Sequence, residues 1–301
     1  MNTSAHDCET EKNRVEKGTL YLVATPIGNL MDLSPRACKV LREVDFVAAE
    51  DTRNTAKLLN CFDIRQTYLS YFEHNKRQRG EEIVRRLLAG ESCALVTDAG
   101  TPAISDPGED LVALCAEQGV PVTAVPGCCA AIDALSLSGL PTARFSFEGF
   151  LPASATQRKK RLEEICREQR TLIFYEAPHR LLATLTQMYE VLGERPAALC
   201  RELTKRNEEV QRLPLSRAVA YYESNEPRGE YVVVVGGCTA EQLRADAFWS
   251  EMTVEEHVQY YLDTQPDCRK NDAIKLAARD RGVAKNVIYR QLVQPESDEN
   301  K

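Results

Sequence analysis

Apolar, strand-like runs alternate with helix-like runs from Gly18 to Val125, and this alternation constrains the fold more than any other feature of the chain. Strands that are separated by helices run in the same direction and form a parallel sheet, which helices then cover on both faces. The first part of the chain is therefore predicted to be an α/β lobe. Its strands are predicted at residues 19–24, 46–49, 67–72, 93–96 and 120–125.

The alternation continues less regularly after Pro126-Gly127 and predicts a second α/β lobe. Strands are predicted at 144–150, 171–175, 197–200 and 230–235, with helices near 180–192 and 215–223. After Gly236-Gly237 three helical segments, at 253–262, 269–281 and 284–292, resemble a helix-turn-helix bundle. The predicted organisation is a disordered lead-in at 1–17, lobes at 18–126 and 127–238, a helical domain at 250–294 and a polar tail at 295–301.

Composition excludes several classes of protein. The chain has 301 residues, enough for two lobes with their own cores. Since no apolar stretch approaches the roughly 18 residues that cross a bilayer, and residues 1–17 lack the apolar centre of a secretory signal, a soluble, cytoplasmic protein without a membrane partner is expected. The eleven cysteines are scattered and include no C-x-x-C pair, so we expect reduced thiols and no metal site.

The loop Thr-Asp-Ala-Gly-Thr-Pro-Ala-Ile-Ser-Asp-Pro-Gly at 97–108 joins a predicted strand to a predicted helix. Its glycines permit unusual backbone conformations and its prolines remove freedom, so the loop is rigid. Asp106 is expected to cap the helix, with Pro107 at the first helical position. A tight connection in any α/β fold would use similar residues. However, Pro26-Ile-Gly28 and Pro126-Gly127 form further turns at strand ends of the same sheet, which favours a shared ligand cleft.

Three side chains are candidate general bases. Glu50 and Asp51 follow the second predicted strand, and His74 precedes a helix. The alternatives are that Asp51 caps the next helix and that His74 is merely exposed. The sequence lacks the G-x-G-x-x-G and phosphate-loop patterns, so the usual markers of nicotinamide cofactors and nucleotide hydrolysis are missing.

Local basic clusters are the only candidates for contacts with nucleic acid, because the net charge of the whole chain is -7. One cluster begins a helix at 157–161, and another follows the strand at 197–200. Such clusters are often solvated surface. The third C-terminal helical segment, which carries Lys285, Asn286, Tyr289 and Arg290, gives the weakest of these signals.

Five stretches of the sequence closely resemble, in order, the bacterial small-subunit ribosomal RNA methyltransferase I family of the tetrapyrrole-methylase superfamily. They are Val-Ala-Thr-Pro-Ile-Gly-Asn-Leu at 23–30, Ala-Glu-Asp-Thr-Arg at 49–53, the motif at 95–108, Phe-Tyr-Glu at 174–176 with His179-Arg180, and Arg-Glu-Leu-Thr-Lys at 201–205. The resemblance spans about Gly18 to Gly237, and the helical tail resembles the family's C-terminal domain more loosely.

The resemblance implies a two-lobed α/β, tetrapyrrole-methylase-like (class III methyltransferase) fold with a small C-terminal helical domain. It also implies a homodimer that uses S-adenosyl-L-methionine to methylate the ribose 2′-hydroxyl of a cytidine in the decoding region of 16S ribosomal RNA, in naked RNA or in the assembled 30S subunit. Residues implied to bind the cofactor are Pro26, Ile27, Gly28, Asp98, Ala99, Gly100, Thr101, Ser105, Asp106, Gly127, Cys129, Ala130, Tyr175 and Glu230.

For that reaction the candidate catalytic residues are Glu50, Asp51 and His74. The candidate RNA-binding residues are Arg53, Arg158, Lys159, Lys160, Arg201 and Lys205. One departure from the family is Cys128-Cys129, where relatives often carry Pro-Ser, so a hydroxyl contact is in doubt there while a backbone contact survives.

Two other functions remain open. A tetrapyrrole C-methyltransferase would share the fold and cofactor, but the Pro-Ile-Gly-Asn turn and the helical tail count against it. A non-catalytic RNA-binding ribosome-assembly protein would need neither the constrained loop at 97–108 nor a cofactor.

Overall fold

Two five-stranded sheets and a set of C-terminal helices make up the described part of the chain, which is residues 12–245, 248–265 and 268–293 of a computed structural model. The predicted tail at 295–301 and most of the predicted lead-in at 1–17 lie outside these residues. Two compact units are present. Both sheets belong to the first unit, which comprises residues up to Glu164 together with Arg170–Gly236. The predicted division at 126/127 therefore stays a prediction.

The first sheet is parallel throughout, as the alternating sequence predicts, with strand order β3-β2-β4-β1-β5. Its strands are β1 Leu20–Val23, β2 Phe46–Ala49, β3 Tyr68–Ser70, β4 Cys93–Val96 and β5 Val122–Val125. The helices between them are α1 Pro35–Glu43, α2 Thr52–Asn60, α3 Lys76–Leu88 and α4 Gly108–Glu117. Every residue of β2 and β4 is buried because one apolar cluster packs on each face of the sheet.

The second sheet is mixed, with order β6-β7-β10-β8-β9, and only its β6–β7 pair is parallel. Its strands are β6 Phe145–Phe150, β7 Thr171–Glu176, β8 Pro196–Arg201, β9 Glu209–Pro214 and β10 Tyr231–Val235. The helices of this part are α5 Ala130–Ser138, α6 Ala155–Glu164, α7 Pro178–Leu192 and α8 Leu215–Ser224. An apolar cluster lies between α5 and the sheet.

The C-terminal unit contains α9 Ala240–Ala245, α10 Val254–Thr264, α11 Lys270–Arg281 and α12 Lys285–Val293. Thr253 and Glu256 form a reciprocal capping box that starts α10. Gly282 ends α11 with φ of 64°, a left-handed conformation that glycine adopts without strain. The last three helices share a small apolar core, and they match the three predicted helical segments within two residues at each end. The sequence did not predict α9.

Gly80 offers a first test of the fold. It is buried within α3, and a Cβ added there would lie 3.5 Å from Leu114 Cδ2, an ordinary contact distance. Because alanine loses less backbone entropy than glycine in a helix, Gly80→Ala is expected to stabilise the protein by about 0.5–1 kcal/mol. Urea unfolding at neutral pH measures this change, and a lower midpoint for the variant would show that the α3–α4 contact is tighter than described.

Candidate active site

A cavity of about 510 Å³ lies in the first unit and takes its walls from both sheets. Small-molecule sites usually have volumes of ~300–1,000 Å³. The residues that line it are Ile27, Glu50, Thr97, Ala99, Gly100, Thr101, Ile104, Ser105, Asp106, Pro107, Cys129, Ala130, Phe150, Tyr175, Glu176, Ala177, Pro178, Cys200, Glu202, Leu203, Lys205, Glu230, Tyr231 and Val232.

Hydrogen bonds bring the loop at 97–108 against two other turns of the first sheet. The backbone N–H of Thr25 donates to Gly100 O at 2.9 Å, and the N–H of Gly100 donates back to Thr25 O at 3.1 Å. The Thr101 hydroxyl donates to Cys128 O at 2.8 Å. Gly127 packs closely on the end of β1, since a Cβ there would lie 2.8 Å from Ala24 Cβ. The three turns that the sequence placed in one cleft therefore meet in the structure.

Asp106 holds this loop in shape, although not as the predicted first-position cap. The helix α4 begins at Gly108 rather than at Pro107. Asp106 Oδ1 accepts from the N–H groups of Ala103 at 2.9 Å and Gly108 at 2.7 Å. Its other oxygen, Oδ2, is buried without a hydrogen-bond partner among the described residues. Asp106 is one of the residues that line the cavity.

Four non-glycine residues at or next to the cavity wall have left-handed backbone conformations. They are Ala103, Ser105, Glu202 and Thr204, with φ of 67°, 63°, 50° and 65°. Each such residue costs of order 1–3 kcal/mol and persists only where its surroundings enforce it. Strain of this kind clusters at ligand sites, and here it lies on the cavity wall of both sheets.

The wall from the second sheet is built around Lys205. Its Nζ lies 2.8 Å from Glu202 Oε1 and 2.8 Å from Glu230 Oε2. Gly28 packs against this lysine so closely that an added Cβ would overlap Lys205 Cγ. The turn after β1 and the lysine group are therefore complementary in shape. The sequence had assigned Lys205 to RNA, but the structure places it in the cavity.

An aromatic group covers another part of the wall. Tyr175 contacts the rings of Phe147 and Phe150 edge-on, with centroids 5.0 and 5.5 Å apart. Phe150 remains 58% exposed, and Ile104 is 42% exposed. Large apolar side chains left open at a cavity provide contact area for a flat or apolar part of a ligand.

The three candidate bases occupy different environments. Glu50 lines the cavity, and desolvation raises its pKa, helped by the negative charges of Asp98 and Asp106. Asp51 caps α2, and its hydrogen bonds with the side chain and backbone of Arg53 lower its pKa to about 2. His74 lies exposed in the turn before α3 and is not part of the cavity wall. Of the three, only Glu50 lies on the cavity wall, so it is the candidate base that we retain.

The residues predicted to bind RNA also lie in different environments. Arg53 is exposed and pairs with Asp51 at 3.0 Å, and Lys159 and Lys160 are exposed on α6. Arg201 pairs with Glu209 at 3.2 Å. Arg158 is only 6% exposed, and its guanidinium donates to Gln187 Oε1 and to Ala153 O. The assignment of Arg158 to RNA is therefore wrong for this structure, because the side chain serves packing between α6 and α7.

Ten of the fourteen residues implied to bind the cofactor line the cavity: Ile27, Ala99, Gly100, Thr101, Ser105, Asp106, Cys129, Ala130, Tyr175 and Glu230. Pro26 and Gly28 belong to the turn that flanks Ile27, and Gly127 lies against β1. Asp98 is exposed and accepts a hydrogen bond from Asn54 at 3.0 Å. Sequence reasoning missed Phe150 and Glu202, although both lie in segments that it had singled out.

Among the residues that the structure describes, no group of three or more His, Cys, Asp or Glu side chains is arranged to hold a metal ion. No helix in these ranges has the length and apolar character to span a membrane.

Comparisons with known proteins agree with this architecture. The family model of the tetrapyrrole (corrin/porphyrin) methylases matches residues 19–219. The chain is 47% identical to ribosomal RNA small subunit methyltransferase I of Halalkalibacterium halodurans, over 93% of this chain and 96% of that protein. It is 48% identical to the protein of the same name from Pseudomonas aeruginosa, over 92% and 97% of the two chains.

Solved structures with the same fold are more distant in sequence. Uroporphyrin III C-methyltransferase of Thermus thermophilus matches with a TM-score of 0.51 and 20% identity, over 72% of this chain and 97% of that one. Diphthine synthase matches with a TM-score of 0.56 and 14% identity, over 73% and 90%. Together with the family match, these likenesses confirm the predicted fold class.

Proposed function

This chain belongs to the tetrapyrrole (corrin/porphyrin) methylase family, and we propose that it is an S-adenosylmethionine-dependent methyltransferase that acts on small-subunit ribosomal RNA. The methyl group goes to the ribose 2′-hydroxyl of a cytidine in the decoding region. The observation that carries the proposal is the meeting of three rigid turns and the Lys205 group around one cavity. Relatives named for ribosomal RNA methylation, aligned along nearly the whole chain, support the choice of substrate.

The charges of the cavity fit this cofactor. When bound, S-adenosylmethionine supplies an electrophilic methyl group on a positively charged sulfur. Lys205 pairs with both Glu202 and Glu230 and so offsets only part of their negative charge, and Glu176 lies 3.3 Å from Arg180. Glu50 and Asp106 remain as wall carboxylates without a basic partner among the described residues, so the cavity favours a cation.

Backbone groups of the rigid turns would hold the cofactor. The turn at 26–28, the loop at 98–106 and residues 127–130 would contact it from the first sheet and the linker, while Tyr175 and Glu230 would do so from the second sheet. At position 129 a backbone contact is sufficient, so the cysteine there is compatible with binding. Rigid turns fix the cofactor before the RNA arrives and reduce the entropy lost when the reacting groups are aligned.

Glu50 would accept the proton of the ribose hydroxyl. A hydroxyl is a weak nucleophile until its proton is removed, and a positioned base contributes about 10²–10⁴-fold to the rate. Burial raises the pKa of Glu50 and so increases its affinity for that proton. Asp51 is a poor base because its pKa is lowered to about 2 and its carboxylate is already bonded to Arg53.

Two observations argue against the two other functions. The relatives that align along nearly the whole chain are named for methylation of ribosomal RNA and not of tetrapyrroles, which argues against a tetrapyrrole substrate. An RNA-binding protein that takes up no small molecule would have no use for a strained residue such as Ser105 on a cavity wall.

Labelled methyl transfer tests the proposal. The protein is incubated with undermodified small subunits and methyl-labelled S-adenosylmethionine, and the nucleosides are then separated by mass spectrometry. The expected product carries the label on the ribose of one cytidine. Label on a base carbon, or label on a tetrapyrrole with none on RNA, would overturn it. Using naked ribosomal RNA in a parallel reaction shows which form is the substrate.

We further propose that the protein is a homodimer located in the cytoplasm. Exposed apolar residues on α5, Ile132 at 44% and Leu137 at 39% exposure, offer a surface for a second copy. Light scattering on the purified protein should give twice the mass of one 33.7 kDa chain. The cytoplasm follows from the location of the proposed ribosomal substrate.

Phe150 is expected to support the base of the target nucleotide. The ring lies open at the cavity and is braced by Tyr175, and stacking on an aromatic ring contributes about 1–3 kcal/mol per base. Phe150→Ala should therefore raise KM for RNA by about 5–150-fold, whereas Phe150→Tyr should stay near the wild-type value. Steady-state methylation assays measure both. A weaker affinity for S-adenosylmethionine in Phe150→Ala would instead place the ring against the cofactor.

A further inference from the structure

The C-terminal helices carry a concentration of positive charge in an acidic protein. From Arg269 to Val293 the sequence has seven basic and two acidic residues, a net charge of +5, whereas the whole chain has -7. The preceding helix α10 has three acidic residues and no lysine or arginine. Most of the positive charge of the C-terminal unit therefore lies in the segment from Arg269 to Val293.

Several charges of this segment have partners inside the C-terminal unit. Asp280 accepts from the Tyr261 hydroxyl and lies 3.5 Å from His257 Nε2. Arg281 points inward and donates to His257 Nδ1 at 3.1 Å and to Met252 O at 2.6 Å. These contacts stabilise the packing of α10 on α11. They remove one acid and one base from the surface.

The remaining acid, Asp272, pairs with Lys275 at 3.0 Å. On α12, Lys285 and Arg290 form no ion pair with any residue in the described ranges. The sequence of α12 contains no acidic residue at all. Two uncompensated cations therefore lie on one short helix.

The helix α12 buries little of its own surface. Of its side chains that the structure describes, Ile288 is buried and Leu292 packs partly into the same apolar cluster. Tyr289 is 56% exposed. Lys285 and Tyr289 are four residues apart, as are Asn286 and Arg290, so each pair lies along one side of the helix. We call these four residues the α12 surface.

We propose that the α12 surface binds the sugar–phosphate backbone of small-subunit ribosomal RNA. The inference rests on the proposed function and adds a docking element in the C-terminal unit. Lysine and arginine neutralise phosphates, and asparagine and tyrosine donate hydrogen bonds to phosphate and sugar oxygens. The absence of acidic residues from α12 favours this polyanion over a protein partner. Such binding supplies affinity that the acidic remainder of the chain opposes.

The dependence of RNA binding on salt tests the α12 surface. The double variant Lys285→Gln/Arg290→Gln is compared with the wild type by filter binding of undermodified small subunits from about 50 to 200 mM salt. Each lost phosphate contact should flatten the slope of log affinity against log salt by about 0.7–0.9. At the lower salt concentration we expect roughly tenfold weaker binding or more. The KM for subunits should rise, while kcat and the affinity for S-adenosylmethionine stay unchanged.

A matched control removes the same number of positive charges elsewhere. In Lys39→Gln/Lys275→Gln both lysines have acidic partners, Glu43 at 2.5 Å and Asp272 at 3.0 Å. Its salt slope should remain near that of the wild type. Equal flattening in the control would attribute the effect to net charge and overturn the assignment to α12.

Two other outcomes would also overturn it. An unchanged slope and affinity in the Lys285/Arg290 variant would remove α12 from RNA binding. Weaker binding with an unchanged slope would indicate contact with a ribosomal protein. If the wild type fails to methylate subunits, the proposed function is contradicted, and the binding slope still decides the role of α12 by itself.

Discussion

Replacing Glu50 with glutamine is expected to slow methyl transfer to RNA by about 10²–10⁴-fold, because the amide cannot accept the proton of the ribose hydroxyl. Glutamine keeps the size of the side chain but removes one wall carboxylate, so S-adenosylmethionine binding should weaken modestly, which a saturating cofactor concentration overcomes. Single-turnover methylation with saturating cofactor measures the rate, and calorimetric titration measures the affinity. A rate within a few-fold of the wild type would exclude Glu50 as the base.

The pH dependence of the methylation rate provides a second test of Glu50 as the base. Desolvation, together with Asp98 and Asp106, raises the pKa of Glu50, so the active carboxylate is lost as the pH falls through this raised value. The wild-type rate should therefore decline on the acid side, and Glu50→Gln should lack that decline. Asp51→Asn is the matched control. Asparagine also caps a helix, so this variant should keep both the wild-type rate and the acid decline.

The stability of Glu50→Gln shows whether its slower methyl transfer has a chemical cause or results from damage to the fold. A carboxyl whose pKa is raised by folding destabilises the folded state at pH values above that pKa, because the ionised form is disfavoured there. Glutamine removes this cost. The thermal midpoint of Glu50→Gln at neutral pH should consequently equal or exceed that of the wild type, and a clear decrease would mean that the slower rate reflects damage to the fold.

Gly108→Ala is expected to have the second large effect, because it disrupts the loop that shapes the cavity. An added Cβ would lie 2.7 Å from Asp106 Oδ1, 2.9 Å from Ala103 N and 3.0 Å from Leu95 Cδ2. One of these neighbours is backbone, so the strain cannot be relieved by a side-chain rotation alone. Overpacking of this kind costs about 1–3 kcal/mol.

Loss of the two Asp106 hydrogen bonds should release the loop and weaken S-adenosylmethionine binding by about tenfold or more, since each 1.4 kcal/mol is tenfold in affinity. Calorimetric titration measures this change. Gly80→Ala serves as the control, because it makes the same substitution in the neighbouring α3, where a Cβ has room. Wild-type affinity in Gly108→Ala would contradict the role assigned to the loop.

Much of the first sheet could be predicted because its sequence signals are local. Buried parallel strands are continuous apolar runs, and glycine and proline mark the turns at their ends. The turns at 26–28 and 97–108 were placed in one cleft because the carboxyl ends of parallel strands lie along the same edge of a sheet. The hydrogen bonds between Thr25 and Gly100 agree with this reasoning.

One strand of the second sheet was not predicted because it is partly exposed at the edge of the sheet. The strand β9, Glu-Val-Gln-Arg-Leu-Pro, lies at the sheet edge, mixes polar with apolar residues without regular alternation and ends in proline. It has no apolar run of the kind used to identify the other strands. It also lacks the alternation with a period of two residues that marks a half-buried strand.

The wrong assignment of Arg158 and the omission of Glu202 can also be explained in physical terms. Arg158 was counted with a basic cluster, but it lies four residues before the fully buried Leu162 and so shares the inner side of α6. Glu202 was overlooked because its neighbours Arg201 and Lys205 pointed to phosphate binding. Its pairing with Lys205 depends on a left-handed backbone that sequence patterns do not reveal.

Amide hydrogen exchange tests most directly whether turns from both sheets hold the cofactor together. Adding S-adenosylmethionine to the wild-type protein should slow exchange in peptides that cover the turn at 26–28, the loop at 97–108, residues 127–130 and residues 202–205. At the same concentration of S-adenosylmethionine, the same peptides of Gly108→Ala should show little protection from exchange. Protection of one of these segments alone, or of none, would contradict the account.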